Sequence, residues 1–493
     1  MKYLLLLLLT LTGACAAIPP PDLASATGRT AYYLQRIDAL DDRGPQLNAV
    51  IAINPNALRD AATAGLKSGP LAGNAVLVKD NIETLDPMAT TAGSLALKDN
   101  ITGRDAPLVA RMRAAGVVIL GKTNLSEWAN IRSSRSSSGW SAIGGQTRNP
   151  HALDRTPCGS SSGSGAAVAA GLAWAAIGTE TDGSITCPAS VNGIVGFKPT
   201  VGMVSRTHVV PISHSQDTAG PMAMSVKDAA LLFTAIAGSD PADQATARAD
   251  AHLADFAAGL DTATLKGARI GVLRKQAGRH ERLSSVFEAA LTDLRAAGAD
   301  LVEINQDFDN AMFADEGTVL YFELRENLGA YLRNLPGNPP IRSLADAIAF
   351  NKAHPEELRW FGQETFEKAE GTTDRAAYEK ARANSLRLAG KDGIDKLLAD
   401  NTLTLLIAPT EGPAWAIDLV NGDHFTAVGA GSLAAIAGYP HLTVPMGAVD
   451  GLPVGLSFIG TAWDDKRVLE AGAAYERARS AKVPVAGLKR WEE

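Results

Sequence analysis

Apolar residues recur along this chain in two rhythms. Short, largely apolar runs occupy 75–78, 117–120, 268–273, 301–304, 404–409, 442–446 and 456–459, the last after a Gly451-Leu452-Pro453 turn. Such runs predict strands, and the wholly apolar one at 75–78 reads as a buried strand. Segment 192–200 predicts a further strand ending at Pro199. The second rhythm has a spacing of three to four. Tyr33, Ile37 and Leu40, then Leu58, Ala62 and Leu66, predict two helices within 26–66 that pack outside the core. Segments 226–237 and 283–297 read as amphipathic helices, and 166–177, almost wholly small or apolar, as a helix buried on all sides. Segment 307–398 is charged and helix-rich and poor in chemical motifs. Strands alternating with helices define an α/β fold.

Composition changes this picture little. A chain of 493 residues has the length of about three domains. Hydrophobic residues make up 46% of it, however, and no Pro/Ser-rich or charge-block linker divides it. The expectation is a leader at 1–17 followed by one domain over 18–493, with a helical excursion at about 307–398. The net charge of −7, with both signs interspersed, offers no basic surface to nucleic acid, and aromatics at 5% supply no stacking platform.

The leader, MKYLLLLLLTLTGACAA, combines one lysine, a leucine run and small residues. It reads as an export signal, too short to span a membrane, which makes the protein periplasmic or secreted. Two readings of its end stay open. Cleavage at Ala14-Cys15-Ala16 would release a soluble protein, whereas Thr12-Gly13-Ala14-Cys15 resembles a bacterial lipobox, with Cys15 as lipid anchor. Beyond the leader only Cys158 and Cys187 remain. Either they pair, as export permits, or they serve as compact side chains in small-residue loops.

The chemistry concentrates in 156–188. A Gly/Ser-rich loop at 158–165 offers exposed hydroxyls and free N–H groups, and a second tight loop at 178–184 ends in another serine behind Thr181-Asp182-Gly183. A helix between them folds one loop onto the other and brings Ser160 towards Ser184. A flexible linker is the plain alternative, but linkers do not run into a buried helix. Lys79 directly follows the strand at 75–78 and precedes Asp80-Asn81, an unusual place for a solvated surface charge. Residues 116–123 match the phosphate-loop formula, yet the four residues between the glycines are Val-Val-Ile-Leu, which form a strand themselves. Gly159-Ser160-Ser161-Ser162-Gly163 fits a nucleophile elbow, with Ser161 as nucleophile and a histidine required from His208, His214, His252, His280, His354, His424 or His441. That reading leaves Lys79 and the second loop without a purpose. The histidines show no metal spacing.

The two loops resemble the amidase signature family, whose pattern is Gly-Gly-Ser-Ser-Gly-Gly-Ser and then Gly-Thr-Asp-x-Gly-Gly-Ser. Cys158 and Ser162 stand at glycine positions of the first block, and Glu180 and Asp182 replace an aspartate and a glycine in the second. The wording GTETDGSITCPAS resembles the peptide amidase branch. The likeness extends over 71–224 and resumes over 429–460. It implies a large central mixed sheet flanked by helices and hydrolysis of C-terminal carboxamides of peptides or N-acyl amino acids, without a cofactor or metal. It further implies Ser184 as nucleophile, Ser160 as a bridging serine on a cis peptide bond, and Lys79 as the base. The backbone N–H groups of Thr181, Asp182 and Gly183 would form the oxyanion hole, provided the Asp182 side chain turns away; small Gly183 would let the carbonyl approach closely. The segment SHSQDTAGPM, with Ser213, Ser215, Gln216 and Asp217, resembles the wall around the nucleophile, and the excursion would shape the substrate mouth.

A lysine can act as base only when neutral, since the ammonium has three donors and no acceptor. Lowering it from about 10.4 to about 7–8 amounts to roughly 4 kcal/mol, within reach of burial. Other readings of the same motifs are a general amidase for aliphatic, aryl or fatty amides, the A subunit of a tRNA-dependent amidotransferase, and a binding protein on an inactivated amidase fold. The export signal opposes the second, and the presence of all three catalytic positions opposes the third.

Overall fold

The structure, a computed structural model, describes residues 22–492. The segment read as an export signal, with Ala14, Ala16 and Cys15, lies outside the described residues. The strands of the central sheet are β1 (Val50–Ile53), β2 (Ala75–Lys79), β3 (Val118–Thr123), β4 (Ala175–Glu180), β5 (Val195–Lys198), β6 (Thr218–Ala223), β7 (Arg269–Leu273), β8 (Asp300–Ile304), β9 (Leu405–Pro409), β10 (His441–Val449) and β11 (Leu452–Ile459). They form one 11-stranded sheet in the order β1-β3-β2-β4-β6-β5-β10-β11-β9-β7-β8. The sheet is mixed: β2 runs parallel to β3 and β4, and β7 to β8 and β9, while the remaining neighbours are antiparallel.

Helices cover both faces, so the inner strands such as β2, β4 and β9 are buried along their whole length, while β8 at the edge leaves Asp300 and Glu303 exposed. Alternate residues of β2 feed different cores: Val76 and Val78 pack with Phe233 of helix Val226–Ile236, and Ala75 and Leu77 with Ala166 and Ala167 of helix Ser162–Ala169. The sheet therefore holds Lys79, at the end of β2, beside β4 and under the Gly/Ser loop.

Four local expectations are corrected. Segment 166–177 is not one helix: the helix is Ser162–Ala169, Gly171 breaks it at φ +67°, and 175–177 begin β4. A run that is apolar all round has no period to separate helix from buried strand. The Gly/Ser loop does not expose its hydroxyls either: Ser160, Ser161, Ser162 and Ser164 are all fully buried, and Gly163 and Gly165 sit against other backbone. A Cβ on Gly163 would come within 2.2 Å of the Ala49 carbonyl oxygen, so the helix starts inside the Gly/Ser motif against other backbone. Helix Ala57–Ala64 buries Ala57, Ala61 and Ala64 and leaves Leu58 and Leu66 exposed, the opposite of the expected face, while Ile37 of helix Ala26–Ile37 joins the core. Finally, β10 and β11 meet at a two-residue Asp450-Gly451 turn, both at positive φ, with Leu452 and Pro453 already in the strand.

Candidate active site

Lys79 closes β2 with its side chain fully buried. Its Nζ lies 2.8 Å from Ser160 Oγ, 2.8 Å from Thr179 Oγ1 and 3.1 Å from the Thr179 carbonyl oxygen. Asn81 Nδ2 donates to the same Thr179 hydroxyl at 3.0 Å, which fixes it between the two side chains. Burial pulls the Lys79 amine down from 10.5 to about 7, against the opposing pull of the Asp217 and Glu180 charges. The Gly159–Ser160 peptide bond is cis. Lys79 and Ser160, far apart in sequence, are thus brought into direct contact.

Ser184 follows at the end of the loop leaving β4. Its carbonyl accepts a hydrogen bond from the Ser161 N–H at 3.1 Å, which ties the two serine loops together through backbone. The loop between Glu180 and Ser184 is held at three points. Glu180 Oε2 accepts from the N–H groups of Ile185 and Thr186 at 2.7 and 3.0 Å, so the acidic residue caps the start of helix Thr186–Val191. Thr181 Oγ1 donates to Asp217 Oδ1 at 2.6 Å, and Asp217 Oδ2 accepts from the Ile212 and Ser213 N–H groups. Asp182 does turn aside: its Oδ2 accepts from Ser432 Oγ at 2.8 Å. Burial raises the Asp182 carboxyl to about 6 even so. Gly183 sits at φ +78° with no protein atom within 4 Å of the place a Cβ would take, so glycine is required there for its dihedral and not for crowding by the protein.

Ser184, 8% exposed, opens into a cavity of about 390 Å³. Thr181, Asp182 and Gly183 line it together with Ile131, Leu320 and Glu411. Cys158 and Cys187 form a disulfide that joins the turn before Ser160 to the helix after Ser184. Of the two readings left open for these cysteines, pairing is the one realised.

The nucleophile-elbow reading fails on geometry. Ser161 is fully buried, its hydroxyl donating to the Thr179 carbonyl at 3.1 Å and accepting from the Thr179 N–H at 3.2 Å. No histidine among the described residues hydrogen-bonds to it. The phosphate-loop formula dissolves likewise, since Lys122 is buried within β3, donating to the Ile82 carbonyl and to Thr90 Oγ1. Sequence reasoning missed Thr179 and Ser432 as supports and Glu411 as a wall. Thr179 sits in the second motif and its neighbourhood was readable; Ser432 and Glu411 carry no motif, and only the sheet brings them near.

The site thus sets a buried lysine against a buried serine, beside the half-buried loop that ends in Ser184. The family model described as Amidase matches residues 29–469, and the chain belongs to that family. The crystal structure of native peptide amidase from Stenotrophomonas maltophilia is 51% identical, with a TM-score of 0.89 over 95% of this chain and 96% of that one. A probable amidase of Arabidopsis thaliana is 40% identical over 471 residues, 92% of this chain and 86% of the relative. The A subunit of a glutamyl-tRNA(Gln) amidotransferase from Synechococcus is 36% identical over 463 residues, 90% of this chain and 87% of the relative.

Proposed function

We propose that this amidase hydrolyses the C-terminal carboxamide of peptides or N-acyl amino acids, releasing ammonia, through an acyl-enzyme on Ser184. The observation that carries the mechanism is the buried Lys79 amine 2.8 Å from Ser160 Oγ, directly under the loop that ends in Ser184. Ser184 Oγ attacks the carboxamide carbon while its proton passes to Ser160, whose own proton passes to Lys79. The oxyanion forms against the backbone of 181–183, where the Asp182 and Gly183 N–H groups have no partner among the described residues. Lys79 returns the proton through Ser160 to the departing nitrogen, and ammonia leaves. Water then attacks the ester by the same relay, giving carboxylate and free Ser184.

The substrate class rests on the likeness to peptide amidase and on the shape of the site. An acyl-enzyme mechanism is indifferent to what lies beyond the carbonyl, so the cavity walls must choose. Those walls are partly apolar, with Ile131, Ile212, Leu320 and Phe425, and the polar floor of 181–184 is short. The test is competition between a blocked dipeptide amide and an aliphatic amide of similar size. The dipeptide amide is expected to have the higher kcat/KM, with internal peptide bonds left intact. Preference for the aliphatic amide, or comparable cleavage of internal bonds, overturns the substrate assignment.

A further inference from the structure

Helix Ala311–Arg333, the first of the excursion, buries two carboxyls, Glu316 and Glu323. They are two turns apart and so lie on one face, with Leu320 of the cavity wall between them. Leu324, Leu328 and Leu332 of the same helix pack with Val210 and Ile212, seating it on the 210–217 segment. Both carboxyls accept hydrogen bonds from that segment. Glu323 accepts from the Ser213 hydroxyl, the Ser215 N–H at 3.0 Å, the Ser215 hydroxyl and the Tyr378 hydroxyl at 2.7 Å, with the Arg382 guanidinium at 3.8 Å. Glu316 accepts from Gln216 Nε2 at 2.8 Å.

The segment they hold is the one that grips the loop beside Ser184. Asp217 takes the Thr181 hydroxyl, and Gln216 Nε2 also reaches the Thr181 carbonyl at 3.3 Å. Two routes therefore run from one helix face to one residue: Glu323 through Ser213 and Asp217 to Thr181, and Glu316 through Gln216 to Thr181. Buried networks of this kind have few alternative arrangements, because each unsatisfied member is costly.

We propose that Glu323 and Glu316 are positioning residues, through which the helical excursion sets the aim of the backbone N–H groups of 181–183 at the forming oxyanion. The excursion is then part of the transition-state machinery and not only the mouth of the cavity. The effect belongs to kcat, because a misaimed donor loses more in the transition state than in the bound amide.

The inference rests on the Ser184 reading, and the experiment separates the two. In Glu323→Gln the side chain keeps its size but turns an N–H₂ towards donors. Measured together are the melting temperature, kcat, KM, the inhibition constant of a peptide aldehyde that forms an oxyanion on Ser184, and the Kd of uncleaved peptide amide in a Ser184→Ala background. With the fold retained, kcat is expected to fall about 10- to 100-fold and aldehyde affinity by the same factor, while amide Kd stays within about twofold. Unchanged kcat and aldehyde affinity, or an equal loss of amide binding, overturns the clamp and leaves the Ser184 reading standing. Hydrolysis by Ser184→Ala itself overturns both. If Glu323→Gln does not fold, Thr181→Val, which removes only the hydroxyl held by Asp217, carries the same expectations and the same refutations.

Discussion

In the proposed mechanism the chemistry turns on Lys79. Its fall from 10.5 to about 7 corresponds to about 5 kcal/mol in favour of the neutral amine. Burial is the cause, and the site contains the two partners, Ser160 and Thr179, that orient the amine. Hydrolysis is expected to rise along an alkaline limb with an apparent pKa near 7, as Lys79 loses its proton. Because an ordinary histidine titrates nearby, single replacement of each histidine is the control, and each should leave the limb in place. One histidine whose loss abolishes acylation would sink the lysine mechanism. The same group acts on stability. Between about 7 and 10.5 the unfolded chain binds more protons at this lysine than the folded one, so its contribution to stability rises with pH across that window. Lys79→Ala and Ser184→Ala should each lower hydrolysis at least ~10³-fold with the fold intact, and Ser160→Ala somewhat less, since water can fill the gap between the two. Lys79 stood out because a lysine closing an apolar run is an unusual surface charge, and its role as base was implied by the resemblance. Thr179 did not, since a threonine inside a motif looks the same whether it holds the lysine or only packs.

Among the elements, β4 and the short helix Thr186–Val191 bracket the loop, and Glu180 joins them. Glu180 reaches the Ile185 and Thr186 N–H groups from the strand end and so caps the helix start. Glu180→Ala should cost about 1–2 kcal/mol of stability, read as a lower urea midpoint, and lower kcat through the loop it releases. A midpoint unchanged within error would mean that the cap is dispensable. The Cys158–Cys187 bond spans a sequence separation of 29 and joins the elements that carry Ser160 and Ser184. Closing such a loop is worth about 3–4 kcal/mol on chain-entropy grounds, so Cys158→Ser with Cys187→Ser should melt several degrees lower. Equal melting temperatures for the two forms would show that the link adds nothing. Strands β7, β8 and β9 were readable as short, largely apolar runs, and helix Glu281–Ala296 by its spacing of three to four. The helix inside the Gly/Ser motif was not, because glycines chosen for close approach to Ala49 and Asn124 resemble glycines chosen for freedom.

At the scale of the molecule, the resemblance in two loops implied a mixed sheet, and the structure contains one. Its strand order was illegible: apolar runs buried on both faces carry no record of which neighbour they pair with. The order matters for function, since it lays β2 beside β4, and so Lys79 beneath Thr179, and returns the segments after β9 and before β10 to the cavity with Glu411 and Ser432. Segment 307–398 was legible as helical but not as a support, because the carboxyls that do the holding look like surface charge in a charged stretch. The reading as a whole depends on which serine is acylated. A serine-directed fluorophosphonate, followed by peptide mapping in a mass spectrometer, decides that directly. The expected result is one adduct, on Ser184, absent from Ser184→Ala and slowed in Lys79→Ala; an adduct on Ser161, or undiminished labelling of Ser184→Ala, would contradict it.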